Sequence, residues 1–206
     1  MRFPNAYSGV KKLFTAEILE LIAAVLLVIM LIAVGAGSTG EISADASTAA
    51  VGVAGGLAII AAILAIVAVV LNLVGLNQAS HDEQKSFRTA FFFALIELVA
   101  SALSNFLGDK TDIFDLVVKI CTIGVFVYTV GGISNLAKQY GNNKMVSLGN
   151  KILILEVILV ALTAILEHLP KGNAANTAAA ISSILTIVVY VIYLVYLSKA
   201  KKMLAN

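Results

Sequence analysis

Residues 88–107 read RTAFFFALIELVASALSNFL: one arginine, then an apolar run interrupted by a single carboxylate, Glu97, and by the hydroxyls of Ser101 and Ser104. About twenty residues at 1.5 Å rise per residue cross roughly 30 Å of hydrocarbon, so this stretch predicts a membrane-spanning helix. Moving outward from it, comparable apolar runs predict six spans, at about 14–36, 50–76, 88–107, 114–136, 149–168 and 178–198. The composition agrees with this, at 60% hydrophobic and 13% charged residues over 206 positions. A water-soluble domain carries about 25% charged residues and could not cover so much apolar surface.

The same carboxylate recurs at matching depth in the first, third and fifth runs: Glu20 in AEILELIAAVL, Glu97 in FALIELVASAL and Glu156 in ILILEVILVAL. Each position in hydrocarbon costs on the order of 2 to 3 kcal/mol, so the repetition needs a physical reason. Aligning the glutamates also aligns Lys11, Phe14, Leu21, Ala23 and Leu26 with Arg88, Phe91, Leu98, Ala100 and Leu103, and Lys85 with Lys144. The chain therefore reads as an all-α integral membrane protein with one transmembrane domain over 1–206. Its six helices form three two-helix hairpin repeats, at about 1–76, 77–136 and 137–206.

Charge sets the expected orientation. Arg2, Lys11, Lys12, Lys85, Arg88, Lys138, Lys144, Lys151, Lys199, Lys201 and Lys202 fall on one side of the spans, and only Lys110 and Lys171 on the other. The excess of basic residues on one face predicts that this face and both termini are cytoplasmic, and the expected location is the bacterial plasma (inner) membrane. A cleavable signal peptide is the competing reading of residues 1–40, but its apolar stretch is too long and contains Glu17 and Glu20.

Small residues mark where membrane helices touch. In the second span Ala54, Ala58, Ala61, Ala65, Ala68, Asn72 and Gly75 follow alternating spacings of four and three, the seam of a left-handed pair. The third span has a stripe at Ala90, Ala94, Glu97, Ser101, Ser104 and Gly108, and the sixth one at Ala179, Ser183, Thr186, Tyr190 and Tyr193. Glu97 thus faces other helices rather than lipid. Tyr190, Tyr193 and Tyr196 read as packing residues and an interface anchor.

Two functions fit these residues. In the leading one, the bundle binds or conducts a small solute or ion, with Glu20, Glu97 and Glu156 as cation ligands or proton acceptors and Asn72, Ser101 and Ser104 as polar lining. In the alternative, the chain is a non-catalytic structural or regulatory subunit. Its glutamates are then clasps to Asn72, Asn135 or Ser198 of a neighbouring hairpin, and its small-residue stripes serve assembly. Asp115 and Lys119, four apart on one helix, read as an ion pair at the outer boundary.

No nucleophile elbow, phosphate loop or nucleotide fingerprint is present, and His81 and His168 lack zinc-ligand spacing. The chain reads as no enzyme, with no cofactor and no metal. Cys121 stands alone, which excludes an internal disulfide, and a net charge of +2 is too small to argue for nucleic acid. The expected partners are the lipid bilayer and, through the stripes, a second copy or another membrane subunit.

Overall fold

The computed structural model describes residues 2–38, 44–107, 112–167 and 173–205, with side chains at 2–32, 53–104, 106, 113–163 and 184–205. These residues form helices α1 (Pro4–Ser38), α2 (Ala44–Ala79), α3 (Gln84–Leu107), α4 (Asp112–Gln139), α5 (Asn143–Glu167) and α6 (Asn173–Ala205). All six are long and apolar enough to cross a membrane. Glu41, Asp109, Lys110, His168 and Lys171 lie outside the described residues, as does Gly108 of the third-span stripe.

The helices run further than the apolar stretches at the end that carries the basic residues, because polar caps rather than loss of hydropathy stop them. Asp82 caps α1: its Oδ2 accepts from the Ala6 amide at 2.7 Å and its Oδ1 from Asn5 Nδ2 at 3.0 Å. Pro4 opens that helix, where a missing N–H costs nothing. Glu83 caps α3 through the Ser86 amide at 2.9 Å, and Asn142 caps α5 through the Met145 amide at 3.1 Å. The step from Glu83 to Asn142 equals the step from Glu97 to Glu156, so cap and carboxylate keep one register in the two hairpins.

Helix α4 ends in a Schellman turn. The Asn142 amide reaches back to Ala137 O at 2.8 Å and the Gly141 amide to Lys138 O at 3.0 Å, with Gly141 in the left-handed region at φ 69°. A side chain there would be strained, which explains the glycine.

The chain divides into two compact units, Met1–Lys11 with Gly75–Asn206, and Lys12–Val74. In the first, α4 is the shared helix: it packs against α3 and α5 and touches α6, and α5 packs against α6. The first residues of α1 lie against the α2–α3 turn and the end of α4. Arg2 donates to Gln139 O at 2.7 Å, Phe3 meets Tyr140 edge-on at 5.4 Å, and Ser8 donates to Gln78 at 3.1 Å. The fully buried large side chains of this unit, among them Leu76, Phe87, Ile133, Leu136, Ile152, Tyr196 and Leu204, lie toward the basic end.

In the second unit the buried residues are Leu13, Ala16 and Ala23 on α1 and Ala54, Ala61 and Ala68 on α2. The heptad seam read from α2 is therefore buried at every seventh position, while Ala65 is exposed and Ala58 and Asn72 are partly buried. Large aliphatics such as Ile32, Ile59 and Ile66 are about two-thirds exposed, at 67%, 65% and 65%. In lipid this carries no penalty, since acyl chains are as apolar as leucine.

Glycines set the closest helix approaches. A Cβ on Gly9 would stand 2.5 Å from Gly75 O and 2.7 Å from the Ala79 amide nitrogen, both backbone atoms that cannot step aside. One on Gly131 would meet nothing within 4 Å. Gly9→Ala is therefore expected to lower stability by about 1 to 3 kcal/mol through overpacking, despite alanine's better helix propensity. Gly131→Ala should be neutral or stabilising by up to about 1 kcal/mol. Unfolding in detergent micelles measures both, and equal effects at the two positions would contradict the packing described.

Candidate functional site

The α3/α4 hairpin carries several hydrogen-bonded polar side chains and is held in register by two phenylalanine–glycine contacts. Phe87 fills the space a Cβ would take at Gly132, and Phe93 does the same at Gly124, each within 2.8 Å of that position. Phe93 also stacks on Tyr128 with ring centroids 5.6 Å apart. From Phe87 to Glu97 along α3 the chain advances as far as it retreats from Gly132 to Thr122 along α4. That antiparallel register places Glu97 opposite Thr122.

Thr122 Oγ1 donates to Glu97 Oε1 at 2.7 Å while also approaching Val118 O, one turn back, at 3.0 Å. Seven residues further along α3, Ser104 Oγ donates to Asp115 Oδ1 at 3.1 Å, seven residues back along α4. At the basic end Asn135 Nδ2 lies 3.3 Å from both Glu83 Oε1 and Ser86 Oγ, joining the cap of α3 to α4. Three polar ties thus run along one helix pair.

Several expected arrangements change. The partner of Glu97 belongs to its own hairpin rather than a neighbouring one, and Asn135 serves Glu83, because the antiparallel register brings these side chains together first. Asp115, read as a partner for Lys119, also accepts the Ser104 hydroxyl from α3. Tyr196 is no interface anchor. It is fully buried, donates to Val130 O at 3.3 Å and shares a 3.0 Å hydrogen bond with Ser134, where Gly149 leaves room for its hydroxyl. Tyr193 packs on Phe126 with centroids 4.8 Å apart, which agrees with the packing role read for it.

The remaining site residues are more dispersed. Glu20 and Ser101 are partly buried. Asn72 has a buried Oδ1 with no hydrogen-bond partner among the described residues. Glu156 is partly buried and bonds to no described residue. Glu20 and Asn72 belong to one compact unit and Glu97, Ser101, Ser104 and Glu156 to the other. His81 Nδ1 lies 2.9 Å from Asn77 O in the α2–α3 turn. Among the described residues no three His, Cys, Asp or Glu side chains group closely enough to hold a metal ion.

A double-mutant cycle on Glu97→Leu and Thr122→Val should return a coupling of about 0.6 kcal/mol, and no more than about 1.7, the range for interhelical hydrogen bonds in membranes. Unfolding in mixed micelles reads it, and a coupling indistinguishable from zero would remove the tie. Tyr196→Phe strands Ser134 beside Gly149 and should cost about 1 kcal/mol in the same assay. Comparison with known protein families, curated proteins and solved structures finds no match to this chain.

Proposed function

We propose that this is a non-enzymatic six-span membrane protein that works as a structural or regulatory subunit, with both termini in the cytoplasm. Its intramembrane polar groups fasten helices, and its lateral surface meets lipid, a second copy or another membrane protein. The observation that carries this reading is the Glu97 carboxylate accepting the Thr122 hydroxyl at 2.7 Å inside one hairpin. A carboxylate held that way supports a clasp more than a ligand waiting for a solute. The caps of the second and third hairpins keep the same spacing to Glu97 and Glu156, which supports a structural role repeated with the hairpin, although of the two only Glu97 has its clasp among the described residues. Only 11% of the most apolar window is buried in α1 and likewise in α2, which leaves ample side surface for assembly.

A second reading, binding or conduction of a small solute or ion, is favoured by two of the polar groups left without hydrogen-bond partners among the described residues. These are Asn72 Oδ1 and the Glu156 carboxylate, each in a span where a polar atom would gain from a ligand. In that reading Glu20, Glu97 and Glu156 take cations or protons and Asn72, Ser101 and Ser104 line the path.

Replacing Glu20, Glu97 and Glu156 by Gln singly and together separates the two. Clasps predict a stepwise fall in unfolding stability, on the order of 0.5 kcal/mol per site, with no pH-dependent flux from liposomes carrying the wild-type protein. Flux that one Glu→Gln change abolishes, with the fold unaltered, would sink the structural reading.

A further inference from the structure

At the basic end the start of α5 and the end of α6 line two adjoining hollows of about 450 and 380 Å³, both open to the outside. Lys144, Leu148 and Lys199 line both; Lys151 closes one and Lys202 the other. Asn143 and Ser147 add neutral hydrogen-bonding groups to the first, and Asn142 to the second. None of the lining residues is acidic. Four ammonium groups gathered without a carboxylate among them repel one another, and an anion between them relieves that repulsion.

Beyond the hollows, the helix faces that carry Lys151 and Lys199 turn apolar. One helical step at a time, Lys151 leads to Leu155 and Ile158 on α5, 37% and 56% exposed. Lys199 leads likewise to Val195, Val191 and Val188 on α6, 47%, 49% and 47% exposed. A free anion has no use for that aliphatic track, whereas an acyl chain does. The aliphatic stems of the lysines can lie along it while their charged ends stay at the boundary.

We propose that the α5/α6 cleft seats an anionic phospholipid whose headgroup carries two phosphates, one in each hollow, with Lys144 and Lys199 between them. Basic pockets between membrane helices bind such headgroups by this chemistry. The seat is separate from the intramembrane carboxylates, so its failure leaves the role of Glu97 untouched.

Binding of diphosphatidylglycerol, phosphatidylglycerol, phosphatidylcholine and inorganic pyrophosphate to the full chain in mild detergent, followed by native mass spectrometry, tests the proposal. The expected order is the two-phosphate lipid, then the one-phosphate lipid, then phosphatidylcholine, with pyrophosphate failing to displace the first. Lys144→Gln with Lys199→Gln should weaken diphosphatidylglycerol roughly thirtyfold. Lys85→Gln with Lys138→Gln, the same change of charge on exposed sites outside the cleft, should alter binding less than about twofold. Lys151→Gln and Lys202→Gln singly should each reduce the two-phosphate lipid toward the one-phosphate level, and they carry the test if the double variant unfolds. Equal losses in the two double variants would show diffuse surface charge instead. Equal binding of phosphatidylcholine, or displacement by pyrophosphate, would also overturn the proposal.

Discussion

A polar group in hydrocarbon must find a partner inside the protein, because lipid offers none and each orphan costs several kcal/mol. Most of the described structure around α3 and α4 follows from that constraint. Backbone groups meet it by staying helical from Gln84 to Leu107 and from Asp112 to Gln139. Glu97 with Thr122 and Ser104 with Asp115 meet it across the pair, whereas the buried Thr129 Oγ1 of α4 has no hydrogen-bond partner among the described residues. The ties require an exact register, and the phenylalanine–glycine contacts at Gly124 and Gly132 supply it with apolar groups alone. Packing and polar satisfaction therefore select the same arrangement, the consistency expected of a sequence with one preferred fold.

The basic end meets the constraint differently, since helix ends leave donors and acceptors that no hydrophobic contact can satisfy. Asp82, Glu83 and Asn142 cover exposed amides, Arg2 covers a terminal carbonyl of α4, and Gly141 turns the chain so that two more carbonyls are bonded. Arg2 at that terminus also opposes the negative end of the helix dipole. Because one residue from the α2–α3 turn caps α1, the ends are tied to each other as well as finished. The large buried side chains gather beside these caps, where the ends hold the helices close.

Helix number and helix positions could be read from hydropathy and spacing, because both depend on local sequence. The α3 stripe indeed faces α4, and Ala54, Ala61 and Ala68 are buried as a seam would require. Helix ends could not be read that way: α1 begins at Pro4 and α6 runs to Ala205, well past the apolar residues, since caps and not hydropathy end them. Thr122 went unnoticed because a threonine in an apolar run has no signal of its own; only reflection of Glu97 through the α3–α4 connection points to it. The reach of Asn135 to Glu83 hid for the same reason, and for Glu97 and Asn135 a neighbouring hairpin was the wrong place to seek these hydrogen-bond partners. Tyr196 was one of three tyrosines read together as packing residues and an interface anchor, and only the packing shows that Ser134 and Gly149 make room for it in the interior.

Thr122 donates its hydroxyl to the Glu97 carboxylate at 2.7 Å, and on the function proposed above that carboxylate is a clasp rather than a solute ligand. Infrared difference spectroscopy of the protein in lipid reads that carboxyl group directly, with Glu97→Gln identifying its band. Removing the hydroxyl with Thr122→Val should shift the band, while Thr163→Val, whose hydroxyl in the wild type bonds Leu159 O on its own helix, should leave it in place. A Glu97 band indifferent to Thr122→Val would contradict the claim.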